Sequence, residues 1–373
     1  MIRVLIACTI LALALAVFVL RVSREMPDFE VYWTGATRAA AAEPLYRAED
    51  QHYQFKYLPA FAVLTIPLGF LPLAVAKGVW FVGSVALLVA LITMSVRLLP
   101  QQRKPPGLLA VIAIVVLGKF YARELLLGQV NLLFAVIATG ALLAMKVKRE
   151  SLAGSLVATT IAIKPYGILL VPWLVARRRV ASAAAACFGV VVVYLLPSTL
   201  YGLEGDIALH RAWWQAIRET TAPNLLNPDN VSLASLYAKW LGRGELATLL
   251  AVITACALLA LAAVVFFRRR GITFPEGLEG SLLLILIPLL SPQGWDYVLL
   301  VATPAIMYLA NYEDRLPPAL RVLAILAALT IGLSLFDLMG RAAYVSFMET
   351  GIITLCLLVL IAALCALRVK KVA

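Results

Sequence analysis

Charge is what this sequence has little of. Asp, Glu, Lys and Arg make up 14% of the 373 residues, against 63% hydrophobic, and the mean hydropathy is +0.96. Soluble globular domains carry nearly twice that charged share, so a water-soluble fold is excluded. No grouping of side chains has metal-ligand spacing, and no Walker loop or nucleotide-binding glycine pattern sits at a strand-to-helix turn. The sequence therefore points to no metal and no cofactor. Cysteine is scarce outside apolar runs: Cys8, Cys187, Cys256, Cys356 and Cys365 all lie within such runs. They read as buried small hydrophobes rather than as a disulfide framework.

What is present is a succession of long apolar runs, the pattern of an all-α, polytopic membrane bundle. The net charge of +12 does not imply nucleic acid, because the basic residues gather in short turns between the runs: VRLLPQQRK, KVKR, RRR at 177–179, RRR at 268–270 and the terminal RVKK. With those turns cytoplasmic and the N-terminus inside as an uncleaved signal anchor, spans are predicted at 3–20, 76–96, 106–120, 129–145, 151–163, 166–176, 180–198, 246–267, 280–292, 297–311, 317–337 and 350–367. That is about 12 crossings, within a range of roughly 10 to 13. Residues 58–72 read as a surface or re-entrant segment, because of Pro59, Pro67 and Pro72. The cytoplasmic turns then hold more than half of the 32 Lys and Arg but a quarter of the 20 acids, as the positive-inside rule requires. The chain reads as one membrane-embedded domain, 1–373, with outer loops at 21–57 and 199–245 that carry surface helices.

The chemically distinctive residues then fall on the outer face. PDFEVYWTGA follows the first run and sets Asp28 and Glu30 among Phe29, Tyr32 and Trp33. Asp28 reads either as an interfacial acid flanking a helix end or as a carboxylate that accepts a proton from a bound hydroxyl. Aromatic faces beside acids suit sugars. KFYARELLLGQVN offers Lys119, Arg123, Glu124, Gln129 and Asn131, as helix cap or as site. In AIKPYGILL, Lys164 is the single charge between residues 151 and 176, and Pro165 breaks the helix beside it. It reads as a snorkelling anchor or as a cation for a lipid-borne phosphate. Asp296, in SPQGWDY, is likewise isolated, and Asn230 lies in NPDNVSL. The pair Trp213 and Trp214 suits an amphipathic helix on the outer leaflet.

Taken in order, DFEVYWTGA…PLY…FKYLPAF, LLGQVNLLF, SLAGSLVATTIAIKPYGILLVPWLVARRR, NVSL and LLSPQGWDY resemble glycosyltransferase family 87, polyprenol-phosphate-mannose-dependent mannosyltransferases of the GT-C superfamily. The resemblance implies a GT-C-type helical bundle in the cell inner (plasma) membrane with an extracytoplasmic active site, and an acid after the first helix as catalytic base, which matches Asp28. The family's Lys-Pro motif matches Lys164 and Pro165. Where the family usually has Trp-Asp-His, this chain has Trp295, Asp296 and Tyr297. The resulting expectation is an inverting transferase that moves a sugar, mannose in the family, from a polyprenyl-phosphate donor to a hydroxyl of a glycolipid or glycan acceptor. Asp28 is expected as base, Lys164 and Arg123 as cations for the donor phosphate, and Glu30, Tyr32, Trp33, Tyr57, Gln129, Asn131, Tyr166, Asn230, Trp295 and Asp296 around the sugar or acceptor. The rival is a lipid-glycan flippase or small-solute transporter, which would place ionisable groups at mid-membrane on interrupted helices of repeated halves. The spans here are nearly free of charge and show no such repeat.

Overall fold

The computed structural model describes residues 16, 18–267 and 274–370. The predicted first span, 3–20, and the second RRR turn thus lie almost wholly outside the described residues. Every regular element described is helical, and the one β pairing among the described residues is the isolated antiparallel bridge between Asn230 and Trp295.

In chain order the α-helices are α1 (Pro27–Ala40), α2 (Pro59–Gly69), α3 (Leu73–Leu98), α4 (Pro106–Leu127), α5 (Asn131–Lys146), α6 (Glu150–Ile163) and α7 (Leu170–Ala176). They continue as α8 (Val180–Leu195), α9 (Ser198–Asn224), α10 (Leu233–Leu241), α11 (Glu245–Phe267), α12 (Pro275–Leu290) and α13 (Thr303–Tyr312). The last are α14 (Pro318–Leu333), α15 (Phe336–Met339), α16 (Arg341–Glu349) and α17 (Ile352–Val369). Proline marks the first turn of α1, α2, α4, α12, α13 and α14. There its missing N–H removes no hydrogen bond and its fixed φ already suits the helix.

The helices sit where hydropathy places them, but the crossing count falls short of twelve. Among the described residues, three helices are long and apolar enough to cross a membrane, α3, α11 and α17, and a fourth if α8 and α9, bent by 86°, form one span. The chain is a helical membrane protein. The shortfall is one of length: α6, with 14 residues, covers about 21 Å at 1.5 Å per residue, less than the roughly 30 Å of a hydrocarbon core. The predicted span at 297–311 is likewise divided, into a 3₁₀ segment over Asp296–Ala302 and then α13.

Burial sorts the helices into two kinds. Helix α12 is buried from Glu276 to Leu289, as a helix apolar on every side must be. By contrast α3 and α11 expose Val75, Val79, Val82 and Val89, and Leu246, Leu249, Val252 and Ile253. Cys356 and Cys365 are buried as expected, whereas Cys187 and Cys256 are exposed on the apolar surfaces of α8 and α11. Small residues set the closest approach: a Cβ at Gly154 of α6 would collide with the Ser182 carbonyl and with Ala185 on α8, the packing device of helices in lipid.

Candidate active site

Two left-handed residues build the site. Met26 (φ 67°) precedes α1 and donates its N–H to the Leu126 carbonyl at 3.0 Å, docking the start of α1 on the end of α4. Gly128 (φ 69°) ends α4, and a Cβ there would stand 2.7 Å from the Phe29 Cβ and 2.9 Å from the Met26 Cε. Only glycine combines that backbone angle with that lack of space. The close approach delivers Gln129 to the first turn of α1.

The Gln129 amide is a junction. Its Nε2 donates to the Asp28 carboxylate at 2.7 Å and to the Tyr297 hydroxyl at 3.2 Å, while its Oε1 accepts from the Tyr32 and Tyr57 hydroxyls at 3.1 and 3.4 Å. The two tyrosine hydroxyls also meet at 2.7 Å. Asp28 and Tyr32 are four residues apart and so share a face of α1. Burial raises the Asp28 pKa above its usual 3.8, opposed by the Gln129 hydrogen bond and by the charges of Lys164, Lys56 and His52.

Beside this junction, Lys164 donates to Asn131 Oδ1 at 2.7 Å, and Asn131 Nδ2 donates to Glu124 at 2.7 Å. The other Glu124 oxygen accepts the Leu132 N–H at 2.8 Å. The Lys164 ammonium also lies over the Tyr57 and Tyr166 rings at 5.5 and 5.7 Å, a cation–π cage. Lys164 is buried where α6 gives way to a 3₁₀ turn at Pro165, so it is not a lysine reaching for open headgroups.

A second cluster adjoins the first through Tyr297. Arg123 binds Asp296 at 2.6 Å and Asp229 at 3.0 Å, and its guanidinium lies 5.5 Å over the Tyr297 ring. Lys119 faces the other Asp296 oxygen at 3.8 Å, and the Tyr344 hydroxyl donates to Asp229 at 3.0 Å. Arg123, expected to meet a phosphate, is thus already bound to two carboxylates. Asn230 clamps the loops together: its Nδ2 donates to the Asn224 and Pro292 carbonyls at 3.0 and 2.9 Å, beside its bridge to Trp295. Trp295 in turn stacks on Tyr297, with ring centres 6.3 Å apart.

Two expected residues stand apart from the junction. Trp33 donates its indole N–H to the Leu71 carbonyl at 3.0 Å, and Glu30 pairs with Lys77 at 2.6 Å. Conversely, the sequence reading left out Lys56, His52, Tyr297, Asp229 and Tyr344 as site members, and it offered Lys119 and Glu124 without assigning either a role. For Lys56 the available signal was its place directly before Tyr57. Asp229 is visible only by its neighbour Asn230. Lys56 and Lys164 have no carboxylate within ion-pair distance among the described residues, unlike Arg123.

Residues 55–292, well over half of the chain, match the profile described as glycosyltransferase family 87. No curated protein and no solved structure matches the chain.

Proposed function

The chain belongs to glycosyltransferase family 87, and from that premise we propose that it moves a sugar, mannose by the family's habit, from a polyprenyl phosphate to an acceptor hydroxyl with inversion at the anomeric carbon. Family membership makes it a glycosyltransferase of the membrane. The donor, the stereochemistry and the residue roles are our reading.

The observation that carries the reading is the position of Asp28: a half-buried carboxylate held by a single amide donor, near two lysines, Lys164 and Lys56, that have no carboxylate at ion-pair distance among the described residues. Asp28 takes the acceptor's proton as the acceptor oxygen bonds to the anomeric carbon. The bond from that carbon to the phosphate oxygen breaks on the opposite side, and the electron pair leaves with polyprenyl phosphate. Negative charge grows on that phosphate in the transition state, where a preplaced cation is worth most. Lys164, fixed by Asn131 and the tyrosine rings, meets it; Lys56 serves as the second cation in place of Arg123. Arg123 instead holds Asp296 and Asp229 under Tyr297, fixing the wall to which Gln129 is bonded. Tyr57, Tyr166 and Trp295 offer ring faces to the sugar.

In this reading the site faces away from the basic turns, on the extracytoplasmic side, where lipid-linked rather than nucleotide sugars are at hand. The test is transfer by the purified protein in liposomes, from a panel of polyprenyl-phosphate sugars to glycolipid and glycan acceptors. Transfer from one or more, with an inverted linkage, is expected; retention of configuration or use of nucleotide sugars alone overturns the reading.

A further inference from the structure

An adjoining face of α1 carries a second feature. A cleft of about 660 Å³ is lined by Pro27, Glu30, Val31, Thr34 and Arg38 of α1, and faces Asp50, Tyr53 and Phe55. The α1 residues are spaced i, i+3, i+4, i+7 and i+11, one helical stripe centred about 100° round the helix from Asp28. The cleft nevertheless ends beside the reacting centre, because Pro27 and Leu127 line it and directly precede Asp28 and Gly128. Its volume lies within the roughly 300–1,000 Å³ of small-molecule sites.

Most of its charges are paired, with one another or with residues beside it. Arg38 holds Asp50 through paired contacts, one of 2.8 Å; Lys77 holds Glu30 at 2.6 Å; Arg21 faces Glu25 at 3.8 Å. Arg24 is the remaining lining charge and is exposed. Paired ions leave little net charge for an anionic or cationic ligand, yet they present fixed N–H groups and lone pairs to hydroxyls. Tyr53, 59% exposed, adds an aromatic face for the C–H side of a sugar ring. Between the lining residues Asp50 and Tyr53, Gln51 has a positive φ of 51°, which for a non-glycine residue stores strain at a place where the chain is held to a shape.

We propose that this cleft binds the neutral saccharide units of the acceptor that lie behind the reacting hydroxyl, the acceptor passing around the N-terminal end of α1 to reach Asp28. The assignment rests on the transferase reading above and adds the acceptor's class: a neutral oligosaccharide rather than a single sugar, a peptide or an anionic lipid headgroup.

Two variants test it, Thr34→Trp, which fills the cleft, and Tyr53→Ala, which removes its aromatic face; neither touches the Asp28 junction. With a glycan acceptor, each should raise the acceptor KM roughly tenfold, Thr34→Trp by taking the space of the saccharide and Tyr53→Ala by removing the ring face it packs on. Donor KM, kcat at saturating acceptor and slow donor hydrolysis by water should hold. A second readout is independent of the donor: saturation-transfer NMR of mannotriose, maltotriose and cellotriose with the detergent-solubilised protein. At least one should bind the wild type and lose its signal in both variants, even if the polyprenyl-phosphate reading fails. No binding to the wild type, equal binding to wild type and variants, or an unchanged acceptor KM overturns the cleft assignment while leaving the transferase reading in place.

Discussion

At the scale of single residues, Asp28 and Glu30 separate by angle. Two positions apart on α1 they face about 200° away from each other, so one carboxylate meets Gln129 and the other meets Lys77. Asp28→Asn keeps the shape and the amide contact but cannot take a proton, so turnover should fall by roughly 10²–10⁴ with donor binding retained. Glu30→Gln should leave kcat nearly unchanged. Wild-type turnover in Asp28→Asn, measured as initial transfer rate, would falsify the base assignment. The pH profile gives an independent check. The base works only when ionised, so the rate is lost as pH falls through its pKa, and burial places that limb above the 3.8 of a free aspartate. Lys164 and Lys56 hold the carboxylate down. Lys164→Gln should therefore move the acid limb of kcat/KM to higher pH as well as lower the rate at saturating donor. A limb that stays in place removes Lys164 from the neighbourhood of the base.

At the scale of elements, the site depends on how the end of α4 meets the start of α1. Gly128→Ala puts a methyl group into a left-handed residue, at about 1–2 kcal/mol for the backbone alone, and against Phe29 and Met26 besides. The expected result is a lower unfolding temperature in detergent and a fall in kcat larger than the loss of folded protein explains, because Gln129 is displaced from Asp28. Wild-type kcat in the folded fraction would show that the junction does not orient the base. Helix ends at proline and the break at Lys164 were legible from local chemistry. That Trp33 turns away to Leu71, and that Arg123 is occupied by Asp229 and Asp296, depends on approaches across 38, 106 and 173 residues of chain, where no local pattern reaches.

At the scale of the whole molecule, one buried ion cluster ties three segments distant in the chain together. Glu279 of α12 accepts from Arg177, from the Trp173 indole at 3.1 Å and from Arg368 of α17 at 3.0 and 2.9 Å. Removing one member of such a group strands the others, at about 3–5 kcal/mol. Glu279→Ala should accordingly be among the most destabilising single changes, seen as a collapsed unfolding temperature, while replacement of an exposed residue such as Lys148 is neutral. Sidedness is tested by a cysteine in place of Tyr53 or of Lys148, both exposed, in a background without the native cysteines. An impermeant reagent on intact cells should label the first and not the second; the reverse pattern would put the site in the cytoplasm and end the lipid-donor reading.

The sequence by itself determined that the chain is a helical membrane protein, where its helices run and which family it joins, because hydropathy, proline placement and short ordered motifs act over a few residues at a time. It also singled out Lys164, since a lone charge in an apolar stretch is conspicuous without any coordinates, and Asp28, an acid set among aromatics at the place where the family carries its base. Among the described residues, the tertiary structure decided how many helices are long enough to cross, which of several basic residues is left without an acid, and that one face of α1 looks on a carboxylate junction and an adjoining face on a cleft. Those outcomes are sums over contacts between distant segments, and a charge is free or spent only once its neighbours in space are known.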